Sequence, residues 1–259
     1  MGIQQSHPEE EVMEKDQLHH KVNINDFETV RVLGKGAFGK VRMVKHIKKQ
    51  DSYALKIISK GHCIKTNKTK YVLRERNFLE QVDHPLICNL RYAFQDEYCL
   101  YMVMDLKLGG DLRYYLHKHG CLSEHLTRFW LSELICAVKY LHLKGIMHRD
   151  IKPENILFDL NGHLHLTDFN IATFIPKENH LLTSQCGTLS YFAPEMINGH
   201  GYNESIDWWC IGLIFYECIF GKVIKLYIYI YFIITSFLFI YFYIFFRDHG
   251  ESMKEKIVF

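Results

Sequence analysis

The chain has 259 residues, which is enough for one large domain or for two lobes that each bury a core. Its 31 basic and 29 acidic residues leave a net charge of +2, so overall charge gives no support for nucleic acid as a partner. The eight cysteines include no C-x-x-C pair and no secretory leader opens the chain, which predicts free thiols in the cytoplasm and no zinc site.

Residues 1–26 are polar and charged, and this composition predicts a flexible arm. The chain starts Met-Gly-Ile-Gln-Gln-Ser, which fits the N-myristoylation pattern, with Gly2 as the acceptor and Ser6 at the required spacing. A Met-Gly start also arises by chance. A single acyl chain would give only marginal, reversible membrane binding.

Alternating apolar and polar residues predict three strands, at residues 27–33, 40–44 and 53–58. Lys56 lies on the third of these among apolar neighbours. Two interpretations stay open for it: a lysine that contacts phosphate, or a surface lysine on an edge strand.

The turn between the first two strands fits G-x-G-x-x-G through Gly34, Gly36 and Gly39. A dinucleotide-binding fold shares this pattern, but it would place a helix directly after the glycines. Here a β-branched strand with Val41 follows instead. The turn is therefore typical of a strand–turn–strand flap over nucleotide phosphates, where glycines let backbone amides approach the oxygens.

Residues 60–81 have apolar residues at helical spacing, which predicts a helix with Leu73 and Phe78 on its apolar face. Glu75 lies 19 residues after Lys56 and has two interpretations: an ion pair that orients the lysine, or a solvated helix glutamate.

After His84-Pro85, apolar runs predict strands at residues 90–94 and 99–105. We expect residues 107–111 to form a hinge between two lobes. An amphipathic helix follows at 123–143, with Ser123 as its N-cap and Gly145 as its terminator.

The segment 147–155 follows this helix and precedes a short apolar run, which predicts a loop between rigid elements. Its Asp150 can accept a proton from a hydroxyl, Lys152 can neutralise a transferring phosphoryl group, and Asn155 with Asp168 can hold a metal ion. Alone, this pattern also fits a surface turn.

Six motifs in this order make residues 27 to about 222 resemble a eukaryotic protein kinase. They are the glycine turn, Lys56, segment 147–155, Asp168-Phe169-Asn170, Ala193-Pro194-Glu195 and Asp207-x-Trp209-x-x-Gly212. The run Lys152-Pro153-Glu154-Asn155 resembles the serine/threonine class, and Cys186-Gly187-Thr188 resembles the AGC group. Asp-Phe-Asn, Gly109-Gly110-Asp111-Leu112-Arg113-Tyr114 and the Met-Gly start are similar to the YANK kinases of that group.

The resemblance implies an α+β, bilobal kinase fold. A small antiparallel β lobe with one helix would cover residues 27–106, and a mainly helical lobe would cover 107–222. It implies phosphate transfer from ATP to serine or threonine hydroxyls of protein substrates, with Mg²⁺ as the metal. Asp150 would be the base, Lys152 would steady the γ-phosphate, and Asn155 and Asp168 would hold the metal.

The residues that the resemblance implies around ATP are Leu33, Gly34, Lys35, Gly36, Ala37, Phe38, Gly39, Val41, Lys56, Glu75, Met104 and Asp111. Met104 would face the adenine, and Asp111 would reach the ribose or a basic substrate residue. Arg149 would pair with a phosphorylated Thr183 or Ser184, unless both are ordinary loop hydroxyls.

Two positions depart from the family pattern: Asn170 replaces a glycine, and Leu189 stands where proline is common. After Lys222 the kinase pattern stops, which predicts a helical lobe that is incomplete after the Asp207 helix. Residues 223–259 are a hydrophobic tail, in which 226–246 carry no charge over 21 residues. That length fits a membrane-spanning helix, and also a tail translated from non-coding sequence. The alternative to an active kinase is an impaired chain that acts as a nucleotide-binding scaffold or a membrane-anchored form.

Overall fold

A computed structural model of the chain describes residues 22–36, 39–176 and 180–222. The described residues fall into two compact units. One contains the residues up to Asn67 together with Leu90–Leu106, and the other contains Lys68–Asn89 with the residues from Lys107 onward. The arm before residue 22 and the tail 223–259 lie outside the described residues.

The first unit is an antiparallel sheet of five strands in the order β1-β2-β3-β5-β4. The strands are β1 Phe27–Gly36, β2 Gly39–His46, β3 Ser52–Ser59, β4 Leu90–Gln95 and β5 Cys99–Asp105. A short helix, α1 Lys60–Lys65, follows β3 and is capped by the Ser59 hydroxyl. The three strands predicted from alternation and the two predicted from apolar runs are all present, with ends that differ by at most a few residues.

The sheet buries one apolar cluster, in which Leu55 on β3 and Val103 on β5 are fully inaccessible and face each other in register. Phe27 belongs to the same cluster and stacks on Phe94 with ring centroids 5.9 Å apart. Because side chains alternate across a strand, this cluster fixes which residues face the other side of the sheet.

The second unit is mainly helical, with α2 Thr69–Gln81, α3 Leu112–His119, α4 Glu124–Leu143, α5 Pro194–Asn198 and α6 Ser205–Phe220. Two small antiparallel ladders lie among them: β6 Ile146–Met147 pairs with β9 Thr173–Phe174, and β7 Ile156–Phe158 pairs with β8 Leu164–Leu166. The α+β expectation is confirmed.

Helix α4 begins and ends as the sequence predicts. The Ser123 hydroxyl accepts a hydrogen bond from the Leu126 amide, and Gly145 takes a left-handed φ of +72° just beyond the last turn. The helix buries Leu134 and Leu141 completely and packs beside α6.

The single helix predicted over residues 60–81 is instead two, α1 and α2, separated around Asn67, which has a left-handed φ of +53°. The prediction that Leu73 faces inward is wrong, since its side chain is 44% exposed, whereas Val72 and Phe78 are buried. The apolar residues in the sequence are compatible with two different buried faces of this helix, and in the structure the face that carries Val72 is the buried one.

Within the described ranges, none of the helices has both the length and the apolar character needed to cross a bilayer. The predicted span 226–246 and the predicted acylation site Gly2 lie outside those ranges.

Candidate active site

The loop that carries Asp150 is fixed at both ends by short strands. It leaves β6, which pairs with β9, and it enters β7, which pairs with β8. Two successive backbone amides of the loop, those of His148 and Arg149, donate to the carboxylate of Asp207 at 2.9 Å each. Asp207 is completely buried in the first turn of α6, so the loop is attached to a helix of the core.

Asp150 lies within hydrogen-bonding distance of Lys152 and Asn155, the two other residues of its loop for which the sequence predicts a part in phosphate transfer. The Lys152 ammonium donates to Asp150 Oδ2 at 2.7 Å, and the Asn155 amide nitrogen donates to the Asp150 carbonyl at 2.8 Å. The Thr188 hydroxyl donates to Asp150 Oδ1 at 2.9 Å and accepts from Lys152 at 2.9 Å. A carboxylate held this way can accept a proton from an incoming hydroxyl while an ammonium beside it neutralises developing negative charge.

His148 joins this loop to the Asp168 segment. Its Nε2 lies 3.0 Å from the Thr167 carbonyl and its Nδ1 accepts from the Asp150 amide at 3.3 Å. These partners assign the hydrogen to Nε2 and leave the ring neutral. The ring also meets Phe169 edge to face with centroids 5.0 Å apart, and both side chains are buried. Asp150 and Asp168 are therefore positioned by one shared histidine.

Asp168 has two features that suit a metal ligand. Its backbone is left-handed, with φ +67°, and its Oδ1 is buried without a hydrogen-bond partner. A buried carboxylate oxygen left in this way is costly unless a cation or a donor satisfies it. The Thr167 amide donates to the Asn155 carbonyl at 3.0 Å, which places Asn155 beside the Asp168 segment.

These residues fit Mg²⁺ chemistry, since one or two protein oxygen ligands suffice when substrate phosphates and water complete the shell. Across the part of the chain that the structure describes, no group of three or more His, Cys, Asp and Glu side chains is arranged to hold a metal ion by itself.

Arg149 is also left-handed, with φ +69°, and is 8% exposed. Its Nε donates to the Ile171 carbonyl at 2.7 Å, and its Nη1 reaches the Tyr202 hydroxyl at 3.1 Å and the Ser184 hydroxyl at 3.3 Å. Of the two predicted phosphorylation sites, Ser184 is thus the one whose hydroxyl contacts this guanidinium.

In the first unit, Lys56 lies on β3, which has β2 on one side and β5 on the other. The alternative of an edge-strand lysine is therefore excluded. Gly36 and Gly39 face each other at the end of the β1–β2 ladder, while Ala37, Phe38 and the Lys35 side chain lie outside the described residues.

Gly39 has a packing reason of its own. A Cβ built there would lie 1.8 Å from the Ile57 carbonyl oxygen, whereas one on Gly34 would meet nothing within 4 Å. The other first-unit residues expected around ATP lie on the same strands: Leu33 on β1, Val41 on β2 and Met104 on β5.

Glu75 lies on the buried face of α2, with 1% of its surface exposed. The alternative of a solvated glutamate is therefore excluded, because a carboxylate this deep requires partners. Its ion pair with Lys56 stays a prediction. Asp111 is the N-cap of α3, and its Oδ1 accepts from the Tyr114 amide at 2.7 Å.

Two features of the site were not predicted from the sequence. Asp207 accepts hydrogen bonds from two amides of the Asp150 loop, and Thr188 bridges Asp150 and Lys152, whereas the sequence shows both residues only as parts of family motifs. Asn170, which replaces a glycine of the family pattern, is not among the described non-glycine residues with positive φ, which are Gln50, Asn67, Arg149 and Asp168. The role of Asp207 depends on contacts with residues 58 and 59 positions earlier in the chain, and the spacing of residues in the sequence does not show such contacts.

Residues 27–226 match the family model of the protein kinase domain. Among curated proteins, the chain is similar to Serine/threonine-protein kinase AtPK1/AtPK6 of Arabidopsis thaliana, with 46% identity over 78% of this chain and 43% of the relative. It is also similar to the human Serine/threonine-protein kinases 32B and 32C, with 42% and 43% identity over 78% and 77% of this chain. These alignments cover 50% and 42% of the two human proteins.

The chain thus spans about half the length of the curated relatives it matches. The relatives are AGC kinases, and the two human proteins represent the YANK subgroup, in agreement with the resemblance found in the motifs. The match covers most of the chain and includes both compact units. The chain therefore belongs to the protein kinase family, as a homologue of its serine/threonine kinases.

Proposed function

We propose that this chain transfers the γ-phosphate of ATP to serine or threonine hydroxyls of protein substrates. The observation that supports the proposal most is the set of contacts around Asp150, which joins a carboxylate, an ammonium and an amide within one loop. Asp150 takes the proton from the substrate hydroxyl while that oxygen forms a bond to the γ-phosphorus. The bond from the γ-phosphorus to the bridging oxygen breaks, and ADP leaves with the electron pair.

Lys152 neutralises charge on the transferring group, and Asn155 and Asp168 would hold Mg²⁺. When bound, the metal supplies positive charge to the phosphate oxygens. Thr188 bridges Asp150 and Lys152 and so fixes their separation before substrate arrives. Because this chemistry is mainly positioning and charge stabilisation, small displacements of these groups should be costly.

For the nucleotide, we assign the phosphates to the backbone of the glycine turn, with Gly34, Gly36 and Gly39 leaving room, and to Lys56. Glu75 orients Lys56, Met104 lies against the adenine, and Asp111 reaches the ribose with the oxygen that it does not use as a helix cap. The burial of Glu75 and the central position of β3 support the Lys56–Glu75 pair.

The experiment is a radiolabelled phosphate-transfer assay on a generic protein substrate with the full chain and its Asp150→Asn variant. Loss of the base should lower the rate by about 10²-fold or more. Asp83→Asn is the matched control, since Asp83 is exposed and donates to the Tyr140 hydroxyl through its backbone amide, which the change retains. Equal background counts in wild type and Asp150→Asn, with both proteins folded, would refute catalysis and favour the nucleotide-binding scaffold.

We also propose that phosphorylation of Ser184 orders the loop around Arg149, because a phosphate there would pair with a guanidinium already 3.3 Å from the hydroxyl. Phosphate mapping of active protein should find Ser184 modified, and Ser184→Ala should lower activity more than Thr183→Ala. Equal effects of the two changes would contradict this assignment.

Membrane association through Gly2 acylation and residues 226–246 stays a prediction from the sequence. Alkaline carbonate extraction of cells that express the full chain tests it. Retention in the membrane pellet is expected of a spanning helix, and release into the supernatant would contradict one.

A further inference from the structure

Four side chains of the second unit, which we call the Arg113 cluster, form a closed set of contacts: Arg113, Glu154, Tyr191 and Glu217. Arg113 Nε donates to Glu154 at 2.8 Å, Nη2 donates to the Tyr191 hydroxyl at 2.6 Å, and Nη1 pairs with Glu217. The Tyr191 hydroxyl in turn donates to the other oxygen of Glu217 at 2.6 Å. One guanidinium therefore serves two carboxylates that are far apart in the chain.

The cluster lies partly at the surface. The Glu217 side chain is 5% exposed, Arg113 26% and Glu154 45%. Burial lowers the pKa of Arg113, but its hydrogen bonds to Glu217 and Glu154 outweigh this and raise it, so the guanidinium stays charged. Burial and the bond to Glu217 raise the pKa of Tyr191, which keeps the hydroxyl protonated as a donor.

The cluster is next to the proposed base. Glu154 follows Asp150 by four residues in the same loop, within the 3₁₀ turn Pro153–Asn155. Tyr191 ends the 3₁₀ turn Leu189–Tyr191, three residues after Thr188, whose hydroxyl donates to Asp150. Three residues of 3₁₀ helix advance about 6 Å.

A substrate chain with its hydroxyl at Asp150 extends at most about 3.3–3.6 Å per residue. The residues about two to four positions from the acceptor can therefore reach the cluster.

We propose that Arg113 is a specificity-determining residue that occupies, from within the chain, the two carboxylates that would otherwise bind a basic side chain of the substrate. This inference rests on the proposed kinase function. With Arg113 in place, Glu154 and Glu217 already have their cationic partner, so substrates gain nothing from a flanking arginine or lysine. Without it, two carboxylates beside Asp150 would carry uncompensated negative charge and would select for one.

The test measures binding as well as phosphate transfer. A series of fluorescent peptides carries one arginine at each position on either side of the acceptor, and each is compared with a glutamine peptide. In the binding arm alanine replaces the acceptor serine, so anisotropy reports affinity even if no phosphate is transferred. Wild type should bind the arginine and glutamine peptides within about twofold of each other. Arg113→Met should favour arginine about tenfold at one position or more, as expected for a new charge-assisted hydrogen bond.

Arg128→Met is the matched control, because Arg128 pairs with Glu124 on an exposed helix turn and should leave the arginine preference unchanged. If Arg113→Met does not fold because Glu217 is left buried and unpaired, the double variant Arg113→Met with Glu217→Gln removes that charge. It retains Glu154 and should favour arginine about threefold.

Glu154→Gln distinguishes a Glu154 that Arg113 occupies from a Glu154 that binds an arginine of the substrate. Since Arg113 already occupies this carboxylate, the change should shift the arginine preference of the otherwise wild-type chain by less than twofold. A wild type that prefers arginine strongly and loses the preference in Glu154→Gln would overturn the proposal. An unchanged preference in folded Arg113→Met would also overturn it. Failure of the kinase proposal itself would appear differently, as peptide binding without phosphate transfer.

Discussion

Replacing the buried Asp207 by asparagine is expected to destabilise the second unit because one carboxylate there accepts three hydrogen bonds. The amides of His148 and Arg149 donate to it at 2.9 Å, and His142 Nε2 lies at 2.8 Å. Asparagine keeps one acceptor oxygen and turns the other acceptor into an NH₂ group, which would face a donor.

The size of the effect follows from these contacts. Hydrogen bonds to a charged acceptor contribute about 1.5–3 kcal/mol each, against about 0.5–1.5 kcal/mol for neutral ones, and a buried donor left without a partner costs about 1–3 kcal/mol. We therefore expect Asp207→Asn to lower the free energy of unfolding by about 3–5 kcal/mol. This is a large share of the roughly 5–15 kcal/mol typical of a domain.

Urea unfolding of the full chain, followed by tryptophan fluorescence, measures this difference. Glu80→Gln is the matched carboxyl-to-amide control, because Glu80 pairs with Arg76 on the exposed face of α2 and should change stability by less than about 1 kcal/mol. An Asp207→Asn protein that unfolds within about 1 kcal/mol of wild type would refute the reasoning.

Two other predictions concern separate parts of the fold. Gly39→Ala should destabilise the chain by about 1–3 kcal/mol, because its Cβ would lie 1.8 Å from the Ile57 carbonyl oxygen. Gly34→Ala is the control and should cost much less, because its Cβ would meet nothing within 4 Å. Equal unfolding midpoints of the two variants would contradict this. The hydrogen bond to Glu133 raises the pKa of His163 above its ordinary 6.5, so this bond stabilises the fold fully below about pH 6.5 and less as the pH rises through the raised pKa. His163→Asn should therefore lower stability most at low pH, and its effect should disappear at high pH. Urea midpoints at about pH 5.5 and 8.5 measure the difference, and a difference that grows with pH would have the wrong sign.

The sheet and the loop that carries Asp150 were predictable because their signals are local. Strand β5 was placed at 99–105 from apolar residues alone, and α4 from its N-cap and terminal glycine. The loop residues Asp150, Lys152 and Asn155 lie within six positions of one another, so their spacing alone suggests that they act together.

The remaining features depend on contacts between distant segments. Asp207 holds a loop 58 residues earlier, and Arg113 pairs with a carboxylate 104 residues later. In the sequence, an aspartate in a first helical turn fits a favourable interaction with the helix dipole. Likewise, an arginine on a polar helix fits a solvated side chain. Leu73 was misplaced because the apolar residues of α2 fit two faces, and only packing decides between them.

Isothermal titration of ATP into the folded full chain, with Mg²⁺ and with chelator in its place, tests the central claim most directly. The buried Oδ1 of Asp168 lacks a hydrogen-bond partner, and we infer that a cation bound together with the nucleotide phosphates satisfies it. We expect Mg²⁺ to strengthen ATP binding, and the Asp168→Asn variant to lose this dependence while remaining folded. Absence of binding heat, or equal affinity with and without Mg²⁺ in both proteins, would contradict it.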